Sequence, residues 1–88
     1  MKPIKVIYMP SFIRELQKLE SDVQTETAQK VKLFEDSDNH KQLRVHKLKG
    51  RLKNKYSFSV TYSHRIVFLW EDKKTAVFLS IGDHDVYK

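Results

Sequence analysis

The chain opens on an alternation. Ile4, Val6 and Tyr8 alternate with Lys5 and Ile7, which predicts a short strand closed by Pro10. The period then lengthens. Ser11 reads as an N-cap, and Phe12, Ile13, Leu16 and Leu19 fall on one face of a helix. Ser21-Asp22 interrupts that pattern. A second helical face follows in Val23, Thr27, Lys30/Val31 and Phe34, with Glu26 and Gln29 outward. Two short amphipathic helices joined by a tight break predict a helical hairpin. Asp36-Ser37-Asp38-Asn39 ends it with loop-forming residues.

Beyond position 55 the period drops to two. Tyr56 to Tyr62 alternates large apolar residues with hydroxyls, the mark of a half-buried strand. Ser63-His64 reads as a tight turn into Arg65–Trp70. Glu71-Asp72-Lys73-Lys74 reads as a hairpin turn into Thr75–Ile81. These last two runs are apolar at nearly every position, as central strands covered on both faces require. The predicted architecture is α+β: β-α-α-β-β-β, an antiparallel sheet with the helical hairpin packed on one face. No internal repeat is visible, and 88 residues accommodate one domain, 1–88.

Composition narrows the chemistry. There is no cysteine, which excludes disulfides, thiolate metal sites and cysteine nucleophiles, and fits a reducing compartment such as the cytoplasm. No apolar run approaches the roughly 20 residues of a membrane span, and MKPIKVIYMP lacks the apolar centre of a signal peptide, so no membrane partner is expected. Seventeen Lys and Arg oppose eleven Asp and Glu, a net +6. That excess is local. Residues 1–40 hold six basic and seven acidic side chains, and residues 56–88 hold four of each. Residues 41–55, KQLRVHKLKGRLKNK, hold seven basic and none acidic. Such a stripe is the electrostatic footprint of a protein that binds a polyanion or an acidic protein.

The four histidines, His40, His46, His64 and His84, fit no metal-ligand spacing, and no metal or other cofactor is expected. Gly50 and Gly82 stand alone, so there is no phosphate-cradling loop, and no nucleophile elbow occurs. What remains is a polar set flanking the strands: His46, Lys47, Lys49, Arg51 and Lys53 before them, Arg65 at the start of one, and His84, Asp85 and Tyr87 after the last. Each also has a plain structural reading. His46 suits a half-buried edge-strand position, Arg65 an ion pair with Glu71 or Asp85, Tyr87 a cap on the core, and His84 an exposed loop. Together at one sheet edge they suit cleavage of an RNA phosphodiester. The ribose 2′-OH attacks the adjacent phosphorus once a base takes its proton, an acid protonates the leaving oxygen, and a cation stabilises the charge between.

Four runs, Leu48-Lys49-Gly50, Tyr56–Val60, His64–Phe68 and Ser80–Tyr87, resemble in order the RelE/ParE superfamily of small basic toxins from type II toxin–antitoxin modules. The resemblance spans essentially the whole chain and is nearest to the messenger-RNA interferase branch of RelE and YafQ. It implies a ribosome-dependent endoribonuclease that cuts messenger RNA in the ribosomal A site, inhibits translation and is neutralised by a cognate antitoxin. It implies Arg65 on the scissile phosphate, His84 as general acid, and Tyr87 positioning or activating the substrate. Less directly, it implies a catalytic or RNA-binding role for His46, Lys47 and Lys49, and the rest of the basic stripe, Arg44, Arg51, Lys53 and Lys55, is expected to bind RNA by charge. His64 stands where many members have tyrosine, and no glutamate near position 46 supplies a carboxylate base, which leaves His46 for that role. A gyrase-poisoning toxin of the same fold, or an inactive antitoxin-binding domain, is the competing expectation.

Overall fold

The computed structural model describes residues 2–50 and 54–83. Strand β1 (Lys5–Tyr8) leads into helices α1 (Pro10–Gln17) and α2 (Ser21–Phe34) and a single 3-10 turn at Ser37–Asn39. Strands β2 (His46–Lys47), β3 (Tyr56–Ser59), β4 (Arg65–Asp72) and β5 (Thr75–Gly82) follow. They form one sheet in the order β1-β5-β4-β3-β2, with β4 and β5 inside as their continuous apolar runs predict.

The α+β class holds, with two refinements: the basic segment contributes an extra edge strand, β2, and the sheet is mixed. β2 to β5 are antiparallel neighbours, but β1 runs parallel to β5, in the register Val6 with Ala76 and Tyr8 with Phe78. Alternation reports which face a residue takes, not which way a strand runs. Once β4 occupies one edge of β5, β1 fills the other. The Lys5 and Met9 amides bond the carbonyls of Lys74 and Phe78 at 2.7 and 3.1 Å.

Helix α1 begins two residues earlier than a Ser11 cap would place it. Met9 is the N-cap and Pro10 opens the helix, where its missing N–H leaves nothing unsatisfied. The Ser11 hydroxyl instead donates to the Leu79 carbonyl on β5 (2.8 Å), tying the helix to the sheet. In α2 the face predicted from spacing is the buried one: Thr27, Val31 and Phe34. Thr27 satisfies its hydroxyl on the Val23 carbonyl at 2.7 Å. Phe34 is the hub of the core, with ring centroids 4.8, 5.1 and 5.3 Å from Phe58, Phe68 and Phe78 on three adjacent strands. Burying rings of this size supplies most of the driving force in so small a domain.

The strand expected over Tyr56–Tyr62 ends at Ser59. From Val60 the backbone closes a turn on itself, with the Val60 amide on the His64 carbonyl at 2.9 Å. The Thr61 hydroxyl oxygen accepts from the amides of Ser63 and His64 at 3.2 and 3.0 Å. Threonine competes with sheet pairing in this way. The ladder stops, and β4 starts at Arg65.

Candidate nucleic-acid interface and active site

At the end of the sheet where β3 stops and β4 starts lies a groove of about 920 Å³. Arg65 from β4, Ser59 from β3, the turn residues Thr61 and Tyr62, Arg44 and Asp83 line it, together with Glu26 and Lys30 from α2. Ser59 and Arg65 are direct antiparallel partners, so both side chains leave the same face of the sheet. The Arg65 guanidinium lies back across β3, its Nη1 donating to the Ser59 hydroxyl at 3.0 Å. It is half-buried. The ion pair with Glu71 considered from sequence does not form, since Glu71 stands six residues along β4. The Ser59 contact uses one of five guanidinium N–H groups.

Arg44 reaches the groove from the loop before β2, and its backbone is strained. Residues 40–45 close a helical turn with the Val45 amide on the His40 carbonyl (3.0 Å) and the Arg44 amide on the Lys41 carbonyl (3.1 Å). This bond pair ends a helical turn at a left-handed residue, a place where glycine is usual. Here the residue is Arg44, with φ 60°. An L-residue in that region costs about 1–2 kcal/mol.

The strained turn has a consequence at β2. The Arg44 carbonyl meets the His46 Nδ1 at 2.7 Å. A carbonyl only accepts, so Nδ1 carries the proton, and in the neutral ring Nε2 holds the lone pair. His46 is exposed on the two-residue edge strand β2, not half-buried. It pairs with Ser57 across β3, which puts it on the same sheet face as Ser59 and Arg65. Along the backbone, His46 is one strand spacing across and one pleat repeat along from Ser59, whose hydroxyl holds the Arg65 guanidinium, a spacing on the order of 8 Å.

The remaining expected residues divide. Lys47 pairs with Tyr56 and so belongs to the opposite, helix-bearing face. Lys49 is exposed beyond β2, and Lys55 is half-buried immediately before β3. His84, Tyr87, Arg51 and Lys53 lie outside the described residues, as does Asp85. Lys30 and Tyr62 were not singled out from sequence. Lys30 pairs with Glu26 one turn away on α2, an i,i+4 signal that is legible in sequence but carries no hint that it lines the same groove as Arg65.

The other described histidines are structural. The His40 ring stacks on Phe34 at 4.4 Å, and its Nε2 donates to the Phe34 carbonyl at 2.8 Å. His64 bonds through Nδ1 to the Thr61 hydroxyl at 2.8 Å. That hydroxyl already accepts two amides, so it donates here and locks the turn. Among the described residues, no three histidine or carboxylate side chains converge as a metal site.

No family model and no curated protein matches the sequence. Solved structures do match, along nearly the whole chain. YafQ from Escherichia coli superposes with a TM-score of 0.73 at 12% identity, covering 96% of this chain and 97% of that one. The YoeB–YefM complex from Staphylococcus aureus matches with a TM-score of 0.70 at 18% identity over 92% and 97% of the two chains. The toxin–antitoxin complex RelBE2 from Mycobacterium tuberculosis matches with a TM-score of 0.69 at 22% identity over 93% and 99%. At these identities the likeness establishes the fold: this chain has that of the RelE, YoeB and YafQ toxins.

Proposed function

We propose that this protein is the toxin of a type II toxin–antitoxin pair, a metal-independent endoribonuclease that cuts messenger RNA in the ribosomal A site. The observation that carries the reading is the pairing on one sheet face of Arg65, held by Ser59 at the mouth of the groove, with His46, whose Nδ1 proton is committed to the Arg44 carbonyl. Like the resemblance in sequence, the shared fold with RelE, YoeB and YafQ supports the same assignment.

In the reaction His46 Nε2 takes the proton of the ribose 2′-OH. The 2′-oxygen bonds to phosphorus, and the bond from phosphorus to the 5′-oxygen breaks as that oxygen gains a proton. The products are a 2′,3′-cyclic phosphate and a 5′-hydroxyl. The remaining Arg65 N–H groups stabilise the charge gathered on the phosphoryl oxygens between these events. Ser59 holds the guanidinium in place beforehand, so little reorganisation is needed as charge develops. The leaving-oxygen proton is assigned to His84, and substrate placement to Tyr87, by the sequence resemblance. Arg44, Lys49 and Lys55, with Arg51 and Lys53, hold the RNA backbone by charge. Lys47, facing away, contributes only at long range. The expected partners are the ribosome with its messenger RNA and a cognate antitoxin whose acidic segment covers the basic stripe.

A reconstituted translation reaction tests this. Arg65→Ala should lower the rate of codon-specific cleavage about 10²- to 10³-fold, the usual loss when one transition-state donor is removed. A 2′-deoxy nucleotide at the scissile position should abolish it. If Arg65→Ala protein cuts as fast as the parent, the site is wrong. Growth arrest with intact messenger RNA and an induced DNA-damage response would instead favour the gyrase reading.

A further inference from the structure

Tyr62 is the anomaly of the surface. The other two described tyrosines, Tyr8 and Tyr56, pack on neighbouring rings, whereas Tyr62 is 97% exposed and stacks on no ring among the described residues. An aromatic side chain this exposed contributes almost nothing to the core. Its backbone is nonetheless held firmly. The Val60 and Thr61 amides bond the His64 carbonyl, the Thr61 hydroxyl oxygen accepts the Ser63 and His64 amides, and the same hydroxyl bonds His64 Nδ1. The ring therefore projects from a preorganised turn on the rim of the groove that holds Arg44, Lys30 and Arg65.

We propose that Tyr62 is a nucleobase platform: a base of the bound single-stranded RNA, flanking the phosphate held by Arg65, stacks on its ring. The proposal rests on the endoribonuclease reading. The groove also carries the carboxylates Glu26, paired with Lys30, and Asp83, but a flat apolar face beside Arg44 and Arg65 suits single-stranded nucleic acid, because phosphates take the charge and unstacked bases take the ring. The fixed turn lowers the entropy lost on binding, since only the side chain has to be ordered. Every base has a π-face, so the platform strengthens binding without reading sequence.

Binding of a short 2′-O-methyl RNA, which cannot be cleaved, to the full chain measures this apart from catalysis. Tyr62→Ala should weaken binding about five- to a hundredfold, and Tyr62→Trp should retain it. The melting temperature and the slope of affinity against salt should both be unchanged in Tyr62→Ala, because no phosphate contact is lost. Arg65→Ala should flatten that slope. Parental affinity in Tyr62→Ala, with affinity lost in Arg65→Ala, overturns the platform and leaves the nuclease reading standing. Parental affinity in both overturns the RNA reading itself. If Tyr62→Ala keeps RNA affinity but loses a co-purifying partner protein, the tyrosine belongs to a protein interface and the platform is wrong.

Discussion

The two ends of the sheet use the same residue types for opposite purposes. At the end where the N-terminus meets the β4–β5 turn, histidine, lysine and aromatic rings are consumed by structure. His40 is sandwiched against Phe34 and faces Trp70, Lys2 pairs with Asp38 at 3.7 Å, and Asp36 and Asp72 cap their own turns. At the end where β3 meets β4, the same types are presented outward. His46 is exposed, Arg44 sits in a strained left-handed conformation, and Tyr62 projects from a locked turn. The difference teaches that charge and ring counts do not locate a site. What locates it is where backbone strain and exposure are maintained without a packing benefit.

The two histidines give the sharpest way to break that comparison. His46→Ala should leave the melting temperature unchanged and lower cleavage about 10²- to 10⁴-fold, as loss of a general base does. His40→Ala should do the reverse: it removes a stacked ring and a partly buried hydrogen bond, lowering stability by about 1–3 kcal/mol, with activity per folded molecule retained. Denaturant titration and cleavage rates on both variants decide it. If both lose stability equally, the two ends are not distinct.

Arg44→Gly sharpens the comparison further. Relief of the left-handed strain should raise stability by about 1 kcal/mol in the same titration, while loss of the cation weakens RNA binding. A variant that is stabilised and binds as tightly as the parent would show that Arg44 has no part in the groove.

The smallest effect is expected in acid. The Asp36 carboxyl is held below the usual carboxylate range by the Asp38 amide first and the Lys2 amide after it, and Asp72 chiefly by the Lys74 amide. Folding therefore favours their ionised forms. That contribution is complete above the ordinary aspartate pKa of about 4 and is lost as pH falls below it toward the lowered folded-state values. Melting temperature should decline across that acid window, and Asp36→Asn with Asp72→Asn should decline less steeply than the parent. Both carboxylates are exposed, so the change is small.

Much of this was legible in the chain. The 3.6-residue spacing of Thr27, Val31 and Phe34 marked the buried face of α2, and the unbroken apolar runs after Arg65 and Thr75 marked the interior strands. Two features misled. The alternation through Tyr62 continued past the real strand end, because a threonine side chain closed a turn that periodicity does not register. Ser11 looked like a cap, yet Pro10 started the helix and freed the serine for β5.

By itself, the sequence determined the two helices and every strand except β2, their order, the buried face of α2 and the basic stripe at 41–55. All of these depend on neighbours within a few residues, and propensity and hydrophobic period act at that range. Only the tertiary structure decided that β1 lies parallel to β5, that Lys47 turns away from His46's face, and that Lys30 and Tyr62 border the groove of Arg65. These depend on strand register and on packing between segments tens of residues apart, where a shift of one residue moves every side chain to the other face.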